Sequence, residues 1–183
     1  ASVQLYYLQL NAAAVILPDH FKNELLNDSK EMPEKERDDM RKIIEKEALA
    51  WAVASVDNNR IDEINILNAS FLAMHLAIAQ LKVKPELLLI DGNRFNPFQK
   101  IAHECIIKGD GQYMSIAAAS ILAKTHRDEY MQRIHDEFPH YNWKQNKGYS
   151  TREHRQAIID FGTSSYHRLT FRMGEQLSLD FDE

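Results

Sequence analysis

Two aspartates head the residues that could do chemistry. Asp91 directly follows the apolar run Leu87-Leu88-Leu89-Ile90 and precedes Gly92. A carboxylate there sits at the carboxyl end of a buried strand, where open α/β sheets bind their ligands. Gly92 lets a ligand approach the backbone closely. The ordinary alternative is a turn-forming Asp in an Asp-Gly pair. Asp128 lies on a long helical pattern, with Lys124 one turn and Ser120 two turns before it on the same face. Its ordinary alternative is an ion pair with Lys124, which steadies a helix by roughly a few tenths of a kcal/mol. Spacing alone leaves both readings open. Two carboxylates suit Mg²⁺ or Mn²⁺, which prefer oxygen ligands. Two such ions ~4 Å apart can hydrolyse a phosphodiester, one activating water and the other stabilising the leaving oxygen. That cage takes about three or four carboxylates, so further acids must join these two.

Other candidates are weaker. His103-Glu104-Cys105 lacks a second His/Cys pair at zinc spacing. His75 reads as a core or boundary histidine, and Cys105 as an inert buried thiol on a strand. The chain contains no P-loop, no GxGxxG and no GxSxG. Its formal net charge of −5 argues against a nucleic-acid partner, but the charge is uneven. Lys144, Lys147, Arg152, Arg155, Arg168 and Arg172 are opposed within 141–172 by only Glu153 and Asp160. Tyr141, Trp143 and Tyr149 open this segment. A local basic patch can bind phosphate whatever the total charge; a solvated helix face is the ordinary alternative.

The elements that must position these residues alternate. Residues 12–17 read as a buried strand stopped by Pro18. Pro33 starts a helix to about Ala50, with Glu34 and Glu36 favouring its dipole. A strand over 51–56 precedes a helix over 61–82, whose Ile64, Leu67, Phe71, Met74, Ile78 and Leu81 keep a period near 3.6. Strands are expected over 86–90 and 101–108, and a long helix over 115–138. Residues 143–150 read as a loop. Thr151 caps a helix to Phe161, with Gly162 as its stop. The class is α/β.

Several phrases, in order, resemble the ribonuclease HII family: AAAVILP (12–18), LLNDSK (25–30), IDEINILNASFLAM (61–74), LLIDGN (88–93), KGDGQYMSIAAASILAKTHRDEYM (108–131), NKGYSTREH (146–154) and YHRLTF (166–171). The resemblance implies an RNase H-like fold: a mixed five-stranded sheet flanked by helices, with a C-terminal helical extension. It implies an endonuclease that cleaves RNA in RNA–DNA hybrids, and single ribonucleotides in duplex DNA, on the 5′ side, using Mg²⁺ or Mn²⁺. Asp91 and Asp128 match the family's catalytic metal ligands. Tyr149 matches the tyrosine that packs against the nucleotide after the ribonucleotide. Lys30, Lys124 and Lys147 are expected to bind substrate phosphate or stand beside the site.

One part of the pattern departs. The family's Asp-Glu-Ala-Gly-Arg-Gly run supplies two more acids, and its backbone reads the 2′-hydroxyl. Counted back from AAAVILP without gaps, its Ala falls on Ala1, and Ser2, Val3 and Gln4 stand at Gly-Arg-Gly. The first strand is therefore expected to be missing or replaced, and Val3 to Leu10 could extend the next one. Three accounts are open: a displaced start, a degenerate paralogue that binds without cutting, or a rebuilt site recruiting Asp28 or Asp110. With two of the four cage ligands gone, the chain as it stands is expected to be inactive or severely impaired.

The 183 residues suit one domain over 1–172 and a mobile tail over 173–183. In that tail Gln176, Leu177, Leu179 and Phe181 fit the QLxLxF pattern of peptides that bind the bacterial sliding clamp. Leu and Phe would enter apolar pockets while Gln makes polar contacts. A single cysteine, no signal peptide and no run of ~20 apolar residues lead to the expectation of a cytoplasmic protein without a membrane partner.

Overall fold

The structure is a computed structural model that describes residues 8–23, 26 and 32–170. Strand β1 (Gln9–Ile16) pairs antiparallel with β2 (Ala50–Asp57), in register from Gln9 opposite Asp57 to Ile16 opposite Ala50. Alternation sorts the two faces. Leu10, Ala12 and Val56 pack on helix α2 (Asn58–Ala79), while Ala13, Val15, Trp51 and Val53 pack under α1 (Glu34–Glu47) and α3 (Met114–Glu137). Small side chains let the layers approach closely. Ala69, Ala73 and Ala77, spaced by four on α2, are fully buried. The result is a helix–sheet–helix stack.

Helix α2 is broken at Asn65, whose φ of 65° is left-handed. Its side-chain oxygen accepts from the backbone N–H of Leu67 and Asn68 and so caps the second segment. The periodic pattern over 61–82 gives no sign of this break or of the start at Asn58.

Strand β3 (Leu87–Asp91) pairs in parallel with β4 (Ala102–Ile106), with Asp91 opposite Ile106. Leu88 and Ile90 pack on Phe71 and Ile78 of α2 and on Phe95 and Ile101. Among the described residues the strands thus form two pairs, β1–β2 and β3–β4. A cleft of about 950 Å³ lies between them, walled by residues 10–17 of and beyond β1, by all of β3, and by parts of α2 and α3. Every residue of β1 is half-buried, and from Leu10 onward the strand lines this cleft. The fifth strand that the resemblance implies is not among the described strands.

Beyond Thr125, α3 carries a second core. Met131 and Ile134 pack with Leu8, which precedes β1, and with Tyr141, Trp143, Ala157 and Ile158, drawn from a 3-10 turn (139–141), α4 (Trp143–Asn146) and α5 (Arg152–Phe161). This is the C-terminal helical part. Thr151 caps α5 by accepting the His154 N–H, and Gly162 closes it. No helix among the described residues is long and apolar enough to cross a membrane.

Two expectations are corrected. Residues 143–146 are one helical turn rather than loop, bracketed by Asn142 and Lys147, both left-handed. Cys105 is exposed, not buried, because β4 pairs only with β3 among the described strands and its side chains are largely uncovered. His75 is a boundary histidine as expected, its Nε2 2.8 Å from the Asn96 carbonyl.

Candidate active site

Asp91 is exposed at the end of β3, on the wall of the apolar cleft. Its Oδ1 accepts the Gly109 N–H at 3.0 Å. That contact depends on glycine at 109: a Cβ there would stand 2.5 Å from the Ile116 side chain. Close packing of the 109–111 turn on α3 thereby fixes one oxygen of Asp91.

Asp128 is held differently. Its side chain is 19% exposed and lies between two cations, Arg37 Nη2 at 3.5 Å and Lys147 Nζ at 3.4 Å. Lys147 also reaches Glu34 at 3.8 Å, and Arg37 donates to the Met32 carbonyl at 2.9 Å. Asp128 belongs to a second, polar cleft of about 900 Å³ between α1, α3 and α4. There Arg41 bonds both Glu45 and Glu129. The Arg41 guanidinium holds Glu129 below the usual carboxylate range, against the opposing effect of burial. Helix α3 separates the clefts, showing Ser120, Ala123 and Arg127 to the apolar one and Thr125, Asp128 and Glu129 to the polar one.

Tyr149 is 44% exposed. The loop that presents it is pinned from below. Buried Asn146 donates to the Tyr141 carbonyl and accepts the Gly148 N–H, and Arg127 donates to the Lys147 carbonyl at 2.8 Å. The Tyr149 carbonyl accepts the Thr151 N–H and lies 2.9 Å from His154 Nδ1. His154 and His167 are buried, which pushes both imidazoles below their ordinary value, His167 to about 4.

The structure therefore brings Asp128, Lys147 and the Tyr149 loop together, and puts Asp91 in the neighbouring cleft. Lys124 is half-buried on α3. Lys30, Asp28, Gln176, Leu177, Leu179 and Phe181 lie outside the described residues. Asp110 is buried. The basic patch is smaller than its sequence suggests. Arg168 is bound by Asp62 at 2.7 Å, and Asp62 also accepts from the backbone N–H groups of Leu169 and Thr170. Tyr141 and Trp143 are core residues, not surface aromatics. Sequence reasoning missed Arg37, since nothing local ties it to a residue 91 positions away. It also passed over His154, although His154, Ala157 and Ile158 form one apolar helix face.

As a metal centre the described residues fall short. No group of three or more His, Cys, Asp or Glu among them could hold an ion. Both oxygens of Asp128 already face a cation.

The layering and the C-terminal helices match the fold of solved ribonucleases HII and HIII. The structure of the PCNA:RNase HII complex from Archaeoglobus fulgidus superposes with a TM-score of 0.75 at 23% identity, covering 92% of this chain and 89% of that one. Bst-RNase HIII in complex with Mn²⁺ gives a TM-score of 0.58 at 16% identity, covering 75% and 51%. The family model of ribonuclease HII matches residues 9–173. The ribonuclease HII of Bacteroides thetaiotaomicron is 64% identical over 172 residues, 93% of this chain and 86% of the relative. The chain belongs to the ribonuclease HII family, a family of endonucleases that act on RNA in RNA–DNA hybrids.

Proposed function

We propose that this chain acts on RNA–DNA hybrids and on single ribonucleotides embedded in duplex DNA, cutting on the 5′ side to leave a 3′-hydroxyl and a 5′-phosphate. The observation that carries this reading is the junction at Lys147. Its ammonium lies on Asp128, and its backbone begins the loop that presents Tyr149. One residue thereby links a candidate ligand of the reacting phosphate's metal to a stacking surface for the adjacent nucleotide. Lys147 and Lys124 supply positive charge near the phosphate path.

Asp91 and Asp128 are the carboxylates this chain would offer to Mg²⁺ or Mn²⁺, whose chemistry is activation of water and stabilisation of the leaving oxygen. Two carboxylates in separate clefts do not make that cage, so the geometry supports no reaction step through it. The tail segment 176–181 is proposed to dock on a sliding clamp; the Archaeoglobus relative was solved with PCNA. Calorimetry on a peptide of residues 174–183 tests this, and absence of heat with a bacterial clamp ends it.

The test of the main reading is a labelled duplex with one ribonucleotide, incubated with Mn²⁺. The expected result is slow cleavage 5′ of the ribonucleotide, absent in Asp91→Asn, and far below the rate of the Bacteroides thetaiotaomicron relative. No cleavage above the Asp91→Asn control would end the enzyme reading. Retained preference for the ribonucleotide-containing duplex would then support a binding protein.

A further inference from the structure

The His154–His167 pair has one self-consistent arrangement of protons, and it runs from the C-terminal segment to the backbone of Tyr149. A carbonyl oxygen only accepts, so His154 Nδ1, 2.9 Å from the Tyr149 carbonyl, carries hydrogen and donates. In a neutral ring Nε2 is then bare. It accepts the Trp143 indole N–H at 3.1 Å. His167 Nε2 lies 3.2 Å from the same nitrogen, and two bare nitrogens would repel, so His167 Nε2 carries hydrogen and shares the single lone pair of His154 Nε2 with the Trp143 N–H. His167 Nδ1 is then bare and accepts the Ser164 N–H at 3.0 Å, with the Ser164 hydroxyl 2.9 Å away. His154 is 0% and His167 3% exposed. Every assignment follows from the fixed acceptor at one end and the fixed donor at the other.

The far end of this chain of bonds is anchored. Asn58, at the start of α2, donates to the carbonyls of Ser165 and His167 at 3.0 and 2.9 Å. Asp62, one turn further on, grips residues 168–170. Segment 164–170 is therefore fastened to α2, and through two imidazoles it reaches the loop of Tyr149.

We propose that His154 is a positioning residue for substrate: with His167 it sets the height and angle of the Tyr149 loop, and so how that ring meets the nucleotide after the ribonucleotide, a contact that contributes to the preference for a ribonucleotide-containing duplex. This rests on Tyr149 being the nucleotide platform. A histidine serving only to fill the core would tolerate any replacement of equal size and stability. A positioning histidine makes a sharper demand, because the donor must stand at the Nδ1 position. The amide of asparagine reaches that position, whereas glutamine reaches only Nε2.

The experiment compares His154→Asn, His154→Gln and Tyr149→Ala in the full chain. Fluorescence anisotropy, with EDTA present, gives the ratio of affinities for a duplex with one ribonucleotide and for the all-DNA duplex. Hydrogen exchange at residues 147–151 is measured in parallel. His154→Asn should keep the ratio and the exchange protection of the loop. His154→Gln should lose the protection and about tenfold of the ratio. If Tyr149→Ala lowers the ratio and His154→Gln does not, the positioning role is wrong and the platform stands. If Tyr149→Ala changes nothing, the platform reading fails, and substrate positioning with it. Ring ¹⁵N shifts test the proton arrangement independently: His154 protonated at Nε2 instead of Nδ1 would overturn it whatever the binding data show.

Discussion

The C-terminal core and the cleft beside β1 use similar apolar residues and end in opposite states. Around Trp143 the aromatic rings of Phe138, Tyr141 and Tyr166 enclose one another, and the buried polar atoms of His154, His167 and Asn146 have partners. Between β1 and β3, apolar side chains wall an open space of about 950 Å³. Tyr149 and Lys147 stand on the closed region and Asp91 on the rim of the open one. The closed region specifies its functional residues through several bonds each. On the open side, the Asp91 carboxylate is steadied by the Gly109 N–H. The loop proposed to grip nucleic acid is thus held by several bonds from the chain's own packing, while of the two proposed metal carboxylates Asp128 is tied to Arg37 and Lys147 and Asp91 to the Gly109 N–H.

The largest effect is expected for Asp91→Asn and Asp128→Asn, each lowering the slow Mn²⁺-dependent cleavage to background; the urea midpoint should hold in Asp91→Asn and fall in Asp128→Asn, which removes the carboxylate between Arg37 and Lys147. Next, Trp143→Ala should cost about 3–5 kcal/mol in urea unfolding, from a fully enclosed ring. Ile134→Ala in the closed core and Ile90→Ala on the cleft wall form a matched pair. Both side chains are buried, but only Ile90 borders open space. The first should cost toward the upper end, and the second toward the lower end, of about 2–5 kcal/mol. Equal costs would break the comparison. The smallest effect is acid lability. Burial holds the His167 pKa at about 4, below the ordinary value of 6.5, with the like charge of His154 adding to the shift. The unfolded chain therefore binds protons that the native state refuses. The stability from the neutral pair is fully present above pH 6.5 and is lost as pH falls toward about 4. In His167→Gln the urea midpoint should fall less steeply across that window than in the wild type.

Much of this was legible in the sequence, for identifiable reasons. Periodicity located the strands and helices, and the Thr151 cap and the Gly162 stop are local signals that read true. The break at Asn65 was hidden because a side chain satisfies the backbone on both sides of it. Strand partners are non-local, so the split into two pairs with a cleft between them could not be read from periodicity. Asp91 and Asp128 are proposed on their motif phrases, since spacing alone leaves plain alternatives open. Asp128 takes Arg37 and Lys147, from α1 and the loop, as partners, and helical spacing points to neither. The basic segment looked stronger than it is because Asp62, more than a hundred positions away, takes Arg168.

If the Lys147–Tyr149 loop holds the nucleotide beside the ribonucleotide, the affinity ratio for a duplex with one ribonucleotide against the same duplex in DNA must differ between wild type and Tyr149→Ala. The expected result is a preference in the wild type that falls in the variant. A preference of equal size in both proteins would contradict it.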